Sequence, residues 1–293
     1  MKRWVIWVLG LIWMLPAISS AAVSDDEFIR GLVYFHMDDI PNARVHLEKY
    51  FRLVPRPQIR QGYMLLLEGK DWDATRRFKS YLDINHRSAK ALVGIALSTR
   101  GAKNSTTLDN LERAIRLHPG FAPASLSLGF QYMTRGNYPT AKAHLERALS
   151  LSGVAEVKIL LAKLKIQNKE PQEAEVLIRE EADRYPDNFH FNYLTAWAMV
   201  DAGHIDSAKD YIQTAVELAP DHRNLNILRA RYFYARKQYR EALLILNKLK
   251  FKEFSEDYLK TYVRVLMALK DYRRARPLLY RLFRELPWNA EVN

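Results

Sequence analysis

Along most of the chain apolar residues return every third or fourth position, as on a helix that buries one stripe. The pattern is clearest in Leu128-Gly129-x2-Tyr132-x8-Ala141-x3-Leu145-x2-Ala148, where Gly136-Asn137 breaks it as a turn. The stretch predicts two antiparallel helices joined by a tight connection. A step of about 34 residues, a common period of helical arrays, finds the same pattern again. The second-helix alanine recurs as Ala43, Ala74, Ala141, Ala174, Ala208, Ala242 and Ala275, with Thr107 in the remaining place. Four residues after each stands a large apolar side chain: Leu47, Phe78, Leu111, Leu145, Ile178, Ile212, Leu246 and Leu279. The small first-helix position reads Gly31, Gly62, Ile95, Gly129, Ala162, Ala196, Ala230 and Val263, and Pro55, Pro119, Pro186, Pro220 and Pro287 recur where units end.

These residue types have a physical reason. Two helices can approach to about 8–10 Å only where the side chains at their crossing are small. The apolar residue four beyond the alanine shares its face and fills the space beside the crossing. Proline cannot continue a helix interior, so it parts one unit from the next. The spacing resembles the tetratricopeptide repeat. The resemblance implies an all-α fold, a right-handed α-solenoid of about eight helix-turn-helix repeats, covering residues 23–293. Three places depart from it: Ile95, Thr107 and Ser98 in the third unit, Gly153 and Lys165 around the fifth, and Asp71-Trp72 shifted in the second turn.

Residues 1–22 read as an address. Lys2 and Arg3 precede a run without charge from Trp4 to Leu15, then Pro16, then Ser19-Ser20-Ala21-Ala22. That order of basic, apolar and small residues is the order of a cleavable secretory signal, with the cut expected after Ala22. The competing reading is an uncleaved anchor, although the apolar run is shorter than the ~20 residues that span a bilayer comfortably. The expected location is the periplasm, or with the alternative an inner-membrane attachment facing it. At the other end, Pro287 to Asn293 reads as the start of a further first helix. The last face of the array then has three fates open to it, cover by a partner, cover by a second copy, or none, which makes a homo-oligomer one expectation.

Charge changes the picture at one end. The formal net charge is +12, and between Arg223 and Glu285 seventeen lysines and arginines face six acids. Such a field attracts anionic glycans, a membrane surface or acidic proteins; nucleic acid is not expected outside the cytoplasm. Arg273, Arg274 and Arg276 are its densest basic patch. Cysteine is absent, which excludes disulfides, thiolate metal sites and a cysteine nucleophile. No phosphate-binding, dinucleotide, zinc-protease or serine-hydrolase motif occurs, and the eight histidines show no metal-ligand spacing. No catalytic residue, metal or cofactor is expected.

The resemblance also says where a partner would lie, because such solenoids line a concave groove with their first helices. Transferred by phase, Phe35, Tyr63, Phe130, Tyr193, Trp197 and Tyr234 fall on or near that groove, with Arg231, Lys260 and Arg264 at its C-terminal end. The asparagines of the carboxylate-gripping clamp known in some members are replaced by Trp197 and Arg231. Aromatic and basic residues together suit an extended peptide with acidic groups or a free carboxylate. The expected role is a non-enzymatic adaptor that binds such a peptide or a subunit of a pilus, secretion or polysaccharide-export machine. The alternative is binding of an anionic glycan or lipid surface by the basic end. The register itself is testable: Ala141→Phe is expected to lower stability by about 1–3 kcal/mol through overpacking, read as a lower urea midpoint.

Overall fold

The computed structural model describes residues 20–99, 106–249 and 255–285. Most of the expected leader, residues 100–105 and the C-terminal segment from Pro287 lie outside the described residues. The described residues form sixteen helices paired as eight hairpins. These are α1 (Ser20–His36) with α2 (Ile40–Leu53), α3 (Pro57–Leu67) with α4 (Asp71–Ile84), α5 (Ala89–Ser98) with α6 (Thr106–Leu117), and α7 (Ala122–Thr134) with α8 (Tyr138–Ser152). They continue as α9 (Val157–Gln167) with α10 (Pro171–Arg184), α11 (Phe189–Ala202) with α12 (Ala208–Leu218), α13 (Arg223–Ala235) with α14 (Tyr239–Lys248), and α15 (Glu256–Ala268) with α16 (Tyr272–Glu285). The chain divides into two bodies, residues 1–160 and 161–293, with the boundary inside α9. None of the described helices is long and apolar enough to cross a membrane.

Within a hairpin the packing follows the expected crossing. All seven phased alanines and Thr107 are buried, as are seven of the eight large residues beyond them, while Leu279 is partly buried. A side chain added at Gly31 would meet Leu47, and one at Gly129 would meet Leu145 and the Ala141 carbonyl. Thr107 is accommodated because its hydroxyl bonds the Thr99 carbonyl (3.1 Å) and hydroxyl (3.0 Å) at the end of α5. Lys165 is buried, but its ammonium reaches Glu170 and Glu173. Gly153 replaces the unit-ending proline by capping α8 in the left-handed region (φ 67°).

The third hairpin departs in an informative way. With Ile95 at the usual small position, Gly94 makes the close approach, and it does so to Phe78 of the preceding hairpin. A Cβ at Gly94 would stand 2.4 Å from the Phe78 ring, and one at Gly62 would stand 2.5 Å from it. One ring thus fills two glycine sockets, on α3 and on α5.

In the N-terminal body the first helices also turn in on one another. The Phe28 ring of α1 lies 6.4 Å from Phe121 at the start of α7, and His36 stacks on Phe130 at 4.2 Å. Arg30 bonds Glu156 at 3.1 Å. Beside it the buried Glu27 carboxylate accepts from His46 (2.7 Å), Lys49 (2.8 Å) and Arg30 (3.1 Å). Burial alone would raise the Glu27 pKa, but the bonds from Lys49 and His46 outweigh it and hold it below the ordinary glutamate range. Phe28, Tyr50, Phe51, Tyr63 and Phe78 form one aromatic cluster with neighbouring centroids 4.7–6.5 Å apart, each contact adding about 0.5–1.5 kcal/mol beyond its area.

Among the described residues the turns inside seven of the hairpins repeat one device. Asp38, Gly69, Gly136, Lys169, Gly203, Lys237 and Lys270 all have φ between 60° and 88°. An L side chain there costs roughly 1–2 kcal/mol, part of which glycine returns through its greater unfolded-state freedom. Lys237→Gly is accordingly expected to stabilise the protein by about 1 kcal/mol, seen as a rise in Tm of a few degrees. Gly94→Ala is expected to cost about 1–3 kcal/mol in urea unfolding. Combined with Phe78→Leu it should cost less than the sum, since the smaller side chain vacates the socket.

Candidate functional site

In the C-terminal body the last part of α9 and the first helices α11, α13 and α15 share a wall. Each supplies residues from one face because side chains three or four positions apart project together. Lys163 and Gln167 come from α9, Tyr193 and Trp197 from α11, and Asn224, Ile227, Leu228 and Arg231 from α13. Ser255, which caps α15, and Asp257 in its first turn complete a cavity of about 190 Å³. Lys163, Trp197 and Arg231 are spaced by 34 residues, so three successive hairpins present the same position.

The centre of the cavity is fixed by one carboxylate. Asp201, one turn beyond Trp197, accepts the indole Nε1–H at 3.0 Å and also pairs with the Arg231 guanidinium. Arg231 lies over the Trp197 ring at 5.7 Å, and Tyr193 packs against that ring at 5.6 Å. Ile227 and Leu228 give the apolar floor. Asp257 is open to solvent as a residue, yet its carboxyl stands far enough into the groove that lost hydration raises its pKa above the ordinary range, against the opposing charge of Arg231. Burial likewise holds the Tyr193 phenol well above its usual value, so it stays neutral. Two cations and two carboxylates therefore balance across the groove, with the Asn224 and Gln167 amides exposed at its edge.

The nine groove positions expected from the sequence do not all behave alike. Tyr193, Trp197 and Arg231 come together as described. Tyr234 is partly buried against Tyr239 at 5.5 Å, Lys260 pairs with Glu256 at 2.8 Å, and Arg264 is exposed on α15; none of the three lines the cavity. In the N-terminal body Phe35 and Tyr63 are buried, the Tyr63 hydroxyl bonding the Lys90 carbonyl at 2.9 Å, and Phe130 is partly buried against His36. Phase alone does not expose them, because that body closes α1 onto α7. The basic patch is at the surface: Arg274 pairs with Asp271 at 2.6 Å, Arg276 lies over Tyr280 at 5.8 Å, and Arg273 is exposed. Lys163, Asp201 and Asp257 were not expected from the sequence. Lys163 carried a signal in its shared phase with Trp197 and Arg231, and Asp201 in its one-turn spacing from the indole. Among the described residues no group of three or more histidine or carboxylate side chains could hold a metal ion.

Residues 193–257, which hold most of this groove, match the tetratricopeptide repeat family. No curated protein sequence matches the chain. Among solved structures it is similar to a tetratricopeptide repeat protein from Parabacteroides merdae, with a TM-score of 0.57 and 18% identity over 83% of this chain and 99% of that one. The Cut9–Hcn1 assembly of the APC/C gives a TM-score of 0.70 at 13% identity, over 88% of this chain and 51% of that one. The pilF protein of Pseudomonas aeruginosa gives 0.53 at 18%, over 70% and 94%. The segment 193–257 is thus a tetratricopeptide repeat segment, and the chain as a whole is an all-α protein with the tetratricopeptide-repeat fold, which generally serves as a scaffold for protein interactions.

Proposed function

We propose that the chain is a non-enzymatic adaptor exported to a bacterial envelope, where it holds an extended segment of a partner protein against α9, α11, α13 and α15. The observation that carries this reading is the Trp197 ring held in place before any ligand arrives, by Asp201 at its edge and Arg231 over its face. An anchor fixed in advance loses little further freedom on binding, and tryptophan and arginine are enriched among the energetic centres of interfaces. The cavity of about 190 Å³ is smaller than the roughly 300–1,000 Å³ of small-molecule sites, and it suits one side chain of a longer segment. The exposed Asn224 and Gln167 amides can donate to and accept from a peptide backbone. The balance of charge, with Arg231 already engaged by Asp201, favours a segment with a neutral apolar anchor over an acidic one. Export rests on the leader-like order of residues 1–22. The role that fits is holding one subunit during assembly of a pilus, a secretion machine or a polysaccharide exporter.

A photoreactive amino acid at Gln167, in cells, tests the groove. One dominant protein adduct is expected, reduced about tenfold or more by Trp197→Ala, the loss of a central anchor. An adduct of undiminished yield in that variant, or none from a folded protein, would place the partner elsewhere. A second reading is carried by α16, where exposed Arg273 and Arg276 stand with exposed Tyr280 and Phe283. It expects binding to vesicles of anionic lipid that weakens steeply with salt and is lost on reversal of Arg273, Arg274 and Arg276 to glutamate.

A further inference from the structure

The N-terminal body holds a cavity of about 580 Å³. It opens where three hairpin junctions meet. Arg56 stands just before α3, Arg87 and Lys90 flank the start of α5, and His118 to Phe121 form the turn into α7. Its ten lining residues carry two guanidiniums, one ammonium and one imidazole, and no carboxylate.

The cations differ in how far they are already satisfied. Among the described residues the Arg87 guanidinium makes no hydrogen bond or ion pair, and Arg56 reaches only the Tyr81 hydroxyl, at 3.4 Å. Lys90 is held in place by aromatic faces: its Nζ lies 5.1 Å from the Phe121 ring, 5.7 Å from Tyr50 and 5.9 Å from Phe28. Its one carboxylate partner, Asp25, is 3.6 Å away and more than half exposed. Burial pushes the Lys90 ammonium below the ordinary lysine range against the pull of Asp25, so the charge is incompletely compensated. The first turn of α5 adds backbone N–H groups at Ala89 and Lys90, which have no acceptor within their helix, and the positive end of its dipole. His118 donates from Nε2 to the Arg87 carbonyl at 3.0 Å and holds the two junctions together.

We propose that this cavity binds a phosphate group carried by a small organic molecule. Lys90 and the α5 N-terminus meet the phosphate from the floor, and Arg56 and Arg87 close on it from the rim. Guanidiniums match phosphate oxygens in paired hydrogen bonds, which a single carboxylate or halide would not use as fully. A free phosphate would leave much of the volume empty, whereas this cavity lies in the range of about 300–1,000 Å³ typical of small-molecule sites. The apolar remainder would rest on Leu117 and the Phe121 side chain, which line the cavity.

Calorimetric titration of the full chain with inorganic phosphate and with phenyl phosphate tests both parts. Saturable binding of phenyl phosphate is expected, tighter than that of inorganic phosphate and weakened about tenfold or more by Arg87→Ala, the loss of one charge-assisted contact. Arg87 is exposed and without side-chain partners, so that variant should keep its thermal unfolding midpoint. Arg273→Glu, which changes net charge in the other body, should leave the affinity unchanged. Equal affinity for the two probes would overturn the organic ligand and leave a site for the free anion. Absence of saturable binding, or equal loss in Arg273→Glu, would overturn the site altogether.

Discussion

Everything in this molecule depends on a small residue of one helix lying against a large apolar residue of the next. Gly31 with Leu47, Gly62 with Phe78 and Gly129 with Leu145 are the barest instances, because no Cβ fits between them. The contact sets the distance between the two helices of a hairpin, and that distance leaves the opposite face of every first helix uncommitted. What each body does with that spare face decides its chemistry. The N-terminal body spends it on internal packing, with Phe28, Tyr50 and Phe121 around Lys90 and α1 laid against α7. The C-terminal body keeps it open along α9, α11, α13 and α15, where the same positions hold a tryptophan, an arginine and a lysine above an apolar floor.

The fold was legible in the sequence because its determinants are local and periodic. The crossing residues lie within one hairpin, and the period carries them from one hairpin to the next. Even the departures had a local answer in the structure: Thr107 satisfies its hydroxyl on Thr99, Lys165 reaches two glutamates, and Gly153 turns the chain where proline is missing. The site was legible only in part. Tyr193, Trp197 and Arg231 follow from phase, but the role of Asp201 depends on two hairpins meeting over one carboxylate. Asp257 enters from a third. The burial of Phe35 and Tyr63 lay further out of reach, since it depends on packing between hairpins, as where Tyr63 meets Phe28 and Phe51, to which no single repeat holds the key. The cations around Lys90 are likewise drawn from three junctions far apart in sequence.

The two candidate sites differ in the state of their charges. In the groove Arg231 already has its counter-ion, so a ligand there gains from shape and apolar contact and must displace Asp201 to gain from charge. Around Lys90 the cations face each other with one exposed acid at the margin, and an incoming anion relieves their repulsion as it binds. The same fold therefore offers a surface that selects by form and a hollow that selects by charge. Neither depends on a residue the other uses.

The shared ring of Phe78 has a consequence for how the molecule comes apart. Arrays of this kind ordinarily open one repeat at a time, each boundary being a separate weak link. Here the ring that closes the second hairpin is also seated in Gly94 of the third, so α3 cannot release it without loosening α5. The backbone amides of α3, α4 and α5 are thereby bound into a single opening event and should exchange with solvent deuterium at one common rate, a cooperative block set inside an otherwise segmented chain.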